Sequence, residues 1–564
     1  MSSVQTGDAA SATRPIATEA MRAQPITKVQ LVVGLEIHVE LSTLSKMFST
    51  VGSVAHPSRF DAEPNTLIDP VTLGLPGALP VLNGAAIEAS IRVGLALGCS
   101  IAPVTRWDRK SYFYPDMPKA YQISQYDRPV CFDGAVTLPP IDDAGKADFA
   151  ATLGGRKIGI IRAHLEEDAG KLLHELPGGL RLDDASIVDF NRAGTPLLEI
   201  VTQPDFTTAD QVVVFAQMLR DICRTLGVTE GVMQRGHMRF EPNINCMLTL
   251  ADGHVVRTPV VEVKNLNSFR SVRGAIAYEL ANQPERWRKT GIMFAPGTKS
   301  TRGWDDVANE TFEQREKEEA ADYRYFPDPD LLPMTISAET VERLRTSLPE
   351  LPLARRRRYI SEFAMSDADA GMLTDEPAVC ELFEQAMQTA SAMGVPPQRA
   401  AKQAANFILQ AGAKRANERT SRRAAERAEA GEDLGGSESS VTAVLVSDLG
   451  VSGTQLGGLV KLREDGAINS NAADELFGLL CEAEHHGADP ATLAKARGMI
   501  VVRDDAAIDR WCDAAIAEQP QAAADVRAGK QQALGRLLGA AMKQAAGKGD
   551  AALIREAMLR KLSS

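Results

Sequence analysis

One run constrains this chain more than any other: Val29–Leu41, VQLVVGLEIHVEL, where apolar and ionisable residues come to alternate with period two. That alternation belongs to a β-strand with one buried face, and it places Glu36, His38 and Glu40 on the same side. Three ionisable groups on one strand face cannot form a dry core without partners. They are either the solvated face of an edge strand or, as carboxylates around an imidazole, a site for a hard divalent cation such as Mg²⁺.

Similar short runs continue from about Val29 to Pro333, among them KIGIIRAHL, LLEIVT and VVRTPVVEV, broken by Gly, Pro, Asp and Asn turns. They predict a large α+β domain over 29–335 with a mainly antiparallel sheet. Helical spacing over Gly84–Leu97 and Thr208–Leu226 supplies two helices to cover one face of it. Beyond Pro333 the β-branched runs thin out. Ser337–Leu348, Pro377–Met393 and Pro397–Ala411 read as helices, so an all-helical domain is expected over 336–500. Within it, Lys414–Ser440 is first charged and then Gly/Ser/Glu-rich, which predicts an exposed helix followed by a flexible linker. The Ala-rich stretch from 501 to 564 predicts a small separate helical module. Residues 1–28 lack the apolar core of a secretory signal. Their few arginines suggest a transit peptide but Asp8 and Glu19 oppose it, so a disordered tail is expected.

Composition sets limits on partners. The 564 residues carry a net charge of −12, from 74 acidic against 62 basic side chains, so the whole molecule does not attract nucleic acid at long range. An RNA partner must meet a local basic patch. The seven cysteines are scattered with no C-x-x-C pair, which suits free thiols in a reducing cytoplasm. No stretch approaches the roughly 18 apolar residues of a membrane span, and a soluble, cytoplasmic protein is expected.

Two further clusters complete a phosphoryl-transfer pattern. Glu166, Glu167 and Asp168 follow the strand-like run Ile158–Ile161 and would repel one another unless a cation or arginines neutralise them. Arg239, Lys264, Asn265, Asn267, Ser268 and Arg302 form a basic and amide-rich set able to meet phosphate oxygens, although each alone reads as a surface residue or cap. No P-loop and no dinucleotide-binding glycine motif is present, so a nucleotide site here is of the sheet-floor type. With no G-x-S-x-G elbow and no Ser-rich amidase signature, any ammonia used must come from another chain.

At these residues the chain resembles the GatB family. The similarity runs through GLEIHVEL, LGLPGALPVLN, DRKSYFYPDMPKAYQISQYDRP, RAHLEEDAGK, DFNRAGTPLLEIVTQPD, VEVKNLNSF, TRGWDD and DYRYFPDPDLLP, and resumes in LREDGAIN and RAGKQQALGRLLGAAMKQAAGK. The resemblance implies a cradle domain similar to the glutamine synthetase and guanido kinase fold, a helical domain and a YqeY-like tail. It implies partners GatA, an amidase, and GatC, a clamp. It also implies ATP and Mg²⁺, used to phosphorylate the side-chain carboxylate of Glu-tRNA(Gln) or Asp-tRNA(Asn) before ammonia displaces phosphate.

By the same resemblance, Glu36, His38, Glu166 and Glu167 fall on metal-ligand positions, and Glu241 stands where the commoner pattern has an Asp. Lys264 joins the catalytic set. From the residue chemistry above, and not from the resemblance, Arg239, Asn265, Asn267, Ser268 and Arg302 are expected to face the nucleotide. Lys530 and Lys543 are expected to meet tRNA phosphates, as are the clusters Arg355–Arg358 and Lys414–Arg427, although an Arg/Glu-laced surface helix accounts for the second equally well. Positions where many relatives carry zinc-binding cysteines hold Ser49, Val51, Asp69 and Thr72, so no structural zinc is expected. The segment Lys414–Ser440 matches no part of the family pattern. Two rival readings are a tRNA-binding scaffold without catalysis and the archaeal paralogue GatE, whose large insertion this length leaves little room for.

Overall fold

The computed structural model describes residues 15–173, 185–316, 323–429, 443–501, 504–545 and 549–563. The strands are β1 (Ile26–Glu40), β2 (Ser100–Ile101), β3 (Val104–Thr105), β4 (Asp108–Ser111), β5 (Tyr121–Ser124), β6 (Cys131–Thr137), β7 (Lys157–Glu167), β8 (Lys171–Leu173) and β9 (Ile187–Asp189). They continue as β10 (Pro196–Thr202), β11 (Met238–Leu250), β12 (Val255–Arg257), β13 (Val261–Lys264), β14 (Ser300–Asp305), β15 (Glu310–Glu316), β16 (Phe326–Pro327) and β17 (Met334–Thr335). The main sheet runs β15-β14-β13-β11-β1-β10-β7-β6-β2, with β12 beside β11, and among the described residues only its β13–β14 pairing is parallel. A second sheet, β16-β4-β5, stands apart from it.

The alternation in β1 becomes the two faces of the main sheet. Val33, Leu35, Ile37 and Val39 are at most 1% exposed and lie in one core with Leu198 and Ile200 of β10, Ala163 and Leu165 of β7, Phe240 and Ile244 of β11 and Val261 and Val263 of β13. Side chains of the opposite parity on the same five strands are mostly charged. The apolar face is covered by helices that join the same core: α2 (Gly84–Ala96), α3 (Ala209–Thr225) and α4 (Phe269–Thr290), which follow the short α1 (Glu19–Ala23). Each of the three covering helices opens on a side-chain cap, Asn83, Thr208 and Ser268, whose oxygen accepts an otherwise unpaired first-turn N–H.

The structure differs from the sequence reading in several places. Residues 15–28 are not tail: Ala17 is 2% exposed in a small core with Trp287, and β1 starts at Ile26. Residues 1–14 lie outside the described residues. α4 is a third covering helix, 22 residues long, where only two were expected. Two compact units meet between Arg355 and Arg356, later than the expected boundary near 335. The helix α5 (Ala338–Thr346) belongs to the first unit because Leu344, 2% exposed, joins the core behind the sheet.

After α6 (Pro352–Phe363), the second unit is helical throughout its described length. It begins with α7 (Asp367–Thr374), α8 (Pro377–Ala392) and α9 (Pro397–Asn406), the last continuing through a π-helical turn into α10 (Ala413–Glu429). α10 is amphipathic rather than wholly exposed, since Ala416 is buried in the unit's core. The expected linker beyond it falls mostly on 430–442, outside the described residues. Residues 505–563 close on a separate core around Ile508, Leu537, Ile554 and Met558. Among the described residues, no helix is long and apolar enough to cross a membrane.

Candidate active site on the floor of the sheet

The polar face of the main sheet carries ionisable groups in register. His164 of β7, Glu199 of β10, His38 of β1 and Arg239 of β11 form one cross-strand row, and Glu36 lies directly opposite Glu241. Like charges directly opposite on neighbouring strands repel, so this pairing needs a cation nearby. His38 supplies part of that charge. Its Nε2 is 3.6 Å from Glu199 and 3.8 Å from Glu36, and its Nδ1 is 3.7 Å from Glu241. Burial opposes charge on this imidazole, but the nearby carboxylates of Glu199 and Glu241 outweigh it and raise its pKa to about 9.

The carboxylates respond to where each sits. Burial pushes Glu166 up to about 7, with the Lys110 ammonium pulling against it. Glu199 is held well below the carboxylate range, because His164 and His38 outweigh its burial. For Glu241, Lys264 at 2.5 Å is the main counterweight to burial, and the carboxyl sits low. Two groups bring one ligand atom apiece to within 4.8 Å of one another: Glu36, His38 and Glu241, and His38, Glu166 and Glu199. Glu166 Oε2 and His38 Nδ1 are buried without a hydrogen-bond partner. Hard carboxylate oxygens, the unpartnered Glu166 Oε2 among them, are a donor set that fits a divalent cation, whose charge would take the place of the His38 proton.

Strand parity sorts the residues singled out in the sequence. Glu36, His38, Glu166 and Glu241 converge on the floor. Glu167, next to Glu166, turns to the opposite side, where its carboxylate accepts from Lys119 and from the Ile123 N–H at 3.0 Å. It therefore stands outside both carboxylate groups. Arg302 also faces away, donating to the Thr311 hydroxyl at 2.7 Å and lying 3.5 Å from Glu279 of α4. Arg239 reaches the floor but donates to Asp168 at 2.7 Å. Ser268 caps α4, accepting from the Ser271 N–H at 3.0 Å, while Asn265, with φ 65°, and Asn267 are exposed in the turn before it. Lys264 stays on the floor edge, bound to Glu241.

The sequence reading missed Glu199 and Lys110. Glu199 is a single carboxylate in the apolar strand PLLEIVT, and a charge at one position of such a run is the signal that could have found it. Lys110 lies in β4, whose sheet forms another wall of a cleft of about 1110 Å³. Lys110, Tyr112, Phe113, Lys264, Thr301 and Tyr323 are among the residues lining it.

Several basic residues of the clusters expected to meet RNA are paired within the protein. Arg355 pairs with Glu350, Arg356 with Asp367 and Arg358 with Glu384. On α10, Arg415 pairs with Asp474 and Arg419 donates to the Cys481 carbonyl at 2.7 Å. In the tail module Lys543 is exposed, and Lys530 is exposed beside Asp525 at 3.0 Å. At the positions of the expected cysteine replacements, Ser49 donates to Asp69 at 2.7 Å and Asp69 accepts from the Thr72 N–H at 2.8 Å.

The chain belongs to the GatB/GatE catalytic domain family, whose profile matches residues 31–342, and a GatB domain profile matches residues 438–562. It is 40% identical over 517 residues to the B subunit of the aspartyl/glutamyl-tRNA(Asn/Gln) amidotransferase of Rhodopirellula baltica, covering 92% of this chain and 93% of the relative. The protein of the same description from Thermosynechococcus vestitus is 40% identical over 540 residues, covering 95% of this chain and 96% of the relative.

Proposed function

We propose that this chain is the activating subunit of a tRNA-dependent amidotransferase that converts Glu-tRNA(Gln), Asp-tRNA(Asn) or both to the amidated aminoacyl-tRNA. The observation that carries the reading is the floor itself: Glu36, His38, Glu166, Glu199 and Glu241 gathered on one face of the main sheet, within the residues that match the family profile. This face is the floor of the ATP cradle that the sequence resemblance implies. Glu36, Glu166, Glu199 and Glu241, with His38 as ligand or orienting group, are the residues that would hold Mg²⁺. When bound, the ion supplies positive charge beside the phosphates of ATP.

The side-chain carboxylate of the aminoacyl group forms a bond to the terminal phosphorus of ATP as the bond to the ADP oxygen breaks. Ammonia then attacks the activated carbonyl carbon, and phosphate leaves with its electron pair. The protein's task in both steps is positioning and charge balance, since neither needs a nucleophile from this chain. Ammonia comes from a glutamine-hydrolysing partner, the amidase GatA, held with the clamp GatC. The helical second unit and the tail, with Lys530 and Lys543, meet tRNA phosphates by charge and shape.

Purified with its amidase and clamp partners, the protein is expected to form Gln-tRNA(Gln) or Asn-tRNA(Asn) from glutamine only when ATP and Mg²⁺ are both present. Chelating the metal should abolish amidation and leave glutamine hydrolysis by the partner measurable. Amidation that proceeds without ATP, or unimpaired after chelation, would overturn the reading.

A further inference from the structure

Two lysines line the cleft, and they are committed differently. Lys264 Nζ lies 2.5 Å from Glu241, so its charge is spent on orienting a floor carboxylate. Lys110 comes from β4 in the separate sheet β16-β4-β5. Among the described residues its ammonium makes no hydrogen bond and no ion pair, and its near neighbour is the ring of Tyr323, 5.2 Å away. Lys110 lines the cleft together with Lys264 and Thr301 of the main sheet, and the Glu166 carboxylate is the strongest attraction on its charge, with Glu199 also contributing.

The preceding residue shows what a satisfied cation in this strand looks like. Arg109 points to the other side of β4, where Asp328 lies at 2.7 Å, Asp330 at 2.8 Å and the ring of Tyr121 at 4.3 Å. That guanidinium straps the 326–330 segment to β4 and has nothing left to offer. Lys110 is half-buried with no bonded counter-ion; the Glu166 and Glu199 carboxylates keep it charged from a distance, and its ammonium donors remain available to an anion that arrives with the substrate. The chemistry calls for such a cation. A substrate carboxylate must approach a terminal phosphoryl group above a floor that is itself anionic, and the repulsion is relieved by positive charge from the side away from the floor.

Resting on the ATP-dependent activation proposed above, we infer that Lys110 is a catalytic residue whose ammonium contacts the terminal phosphoryl group of ATP, while Lys264 acts only through Glu241. Lys110 keeps its proton throughout. As the carboxylate oxygen bonds to phosphorus and the ADP oxygen departs with its electron pair, the ammonium balances charge on the transferring oxygens.

The test uses the complete amidotransferase assembly. Affinities for Mg-ATP and Mg-ADP are measured by displacement of a fluorescent nucleotide, and kcat and KM for ATP are measured alongside, for wild type, K110M, K110R and K264M. K110M should weaken ATP binding about 10- to 100-fold, the scale of a hydrogen bond to a charged group, while ADP binding stays near wild type. Its kcat should fall as well. K110R should regain most of the ATP-over-ADP preference, and K264M should retain that preference. K110M with an unchanged ATP-to-ADP ratio, or with both affinities reduced alike, overturns the assignment. Should K110M lose its cooperative unfolding transition, K110Q carries the same comparison. A wild-type assembly that fails to amidate with ATP present would instead remove the reading beneath it.

Discussion

Glu199→Gln is expected to lower the rate of ATP-dependent carboxylate activation by about 10²- to 10³-fold, the scale for removing one preorganised electrostatic contact at a reacting centre. The substitution keeps shape and removes charge. Glu199 lies mid-strand in β10, with His38 Nε2 and His164 Nε2 each 3.6 Å from its Oε2. It shares with Glu166 and His38 one of the two potential cation groups on the floor. Without its charge, His38 loses the nearby carboxylate that most favours its protonation. Steady-state phosphate release in the presence of aminoacyl-tRNA measures the effect, with thermal unfolding confirming that the variant is folded. Wild-type turnover in a folded Glu199→Gln protein would exclude this carboxylate from the chemistry.

On the other face of the sheet, Glu279→Ala should destabilise the first unit by about 3–5 kcal/mol, the usual cost of breaking a buried ion pair from one side. Glu279 of α4 is fully buried. It accepts from Arg286 at 2.9 Å, from Gln283 at 3.1 Å and from the Thr311 hydroxyl at 2.6 Å, and Arg302 lies 3.5 Å away. Truncation leaves two guanidiniums without their shared carboxylate and breaks the tie between α4 and the β14–β15 pair. Urea unfolding followed by tryptophan fluorescence suits the measurement, because Trp107, Trp287 and Trp304 all lie in this unit. An unchanged unfolding midpoint would show that Arg302 owes its place to something other than Glu279.

Much of the floor was legible in one strand. The spacing of Glu36, His38 and Glu40 fixes which side they share, and the register of β1 against β11 then delivers Glu241 opposite Glu36. Sequence adjacency misled where parity decides: Glu166 and Glu167 read as one acidic cluster, yet consecutive residues of a strand face opposite sides. Arg302 failed for the same reason, since Val263 and Arg302 are paired in register on the helix-covered face. Glu199 and Lys110 were hidden differently. Glu199 meets its partners only through the pairing of β10 with β1, a strand far away in sequence, and Lys110 reaches the cleft only because β4 folds into a separate sheet. α4 escaped because its 22 residues include Gly274 and Pro284, which interrupt helical propensity that tertiary packing restores.

The central claim is that this floor activates a tRNA-borne carboxylate with ATP, and transfer of label answers it most directly. With γ-³²P-ATP, Mg²⁺ and Glu-tRNA(Gln) or Asp-tRNA(Asn), and with no ammonia source, the wild-type assembly should release labelled phosphate in a reaction that depends on the misacylated tRNA, and Glu36→Gln should not. Equal release with uncharged tRNA, or full tRNA-dependent release by folded Glu36→Gln, would contradict the account.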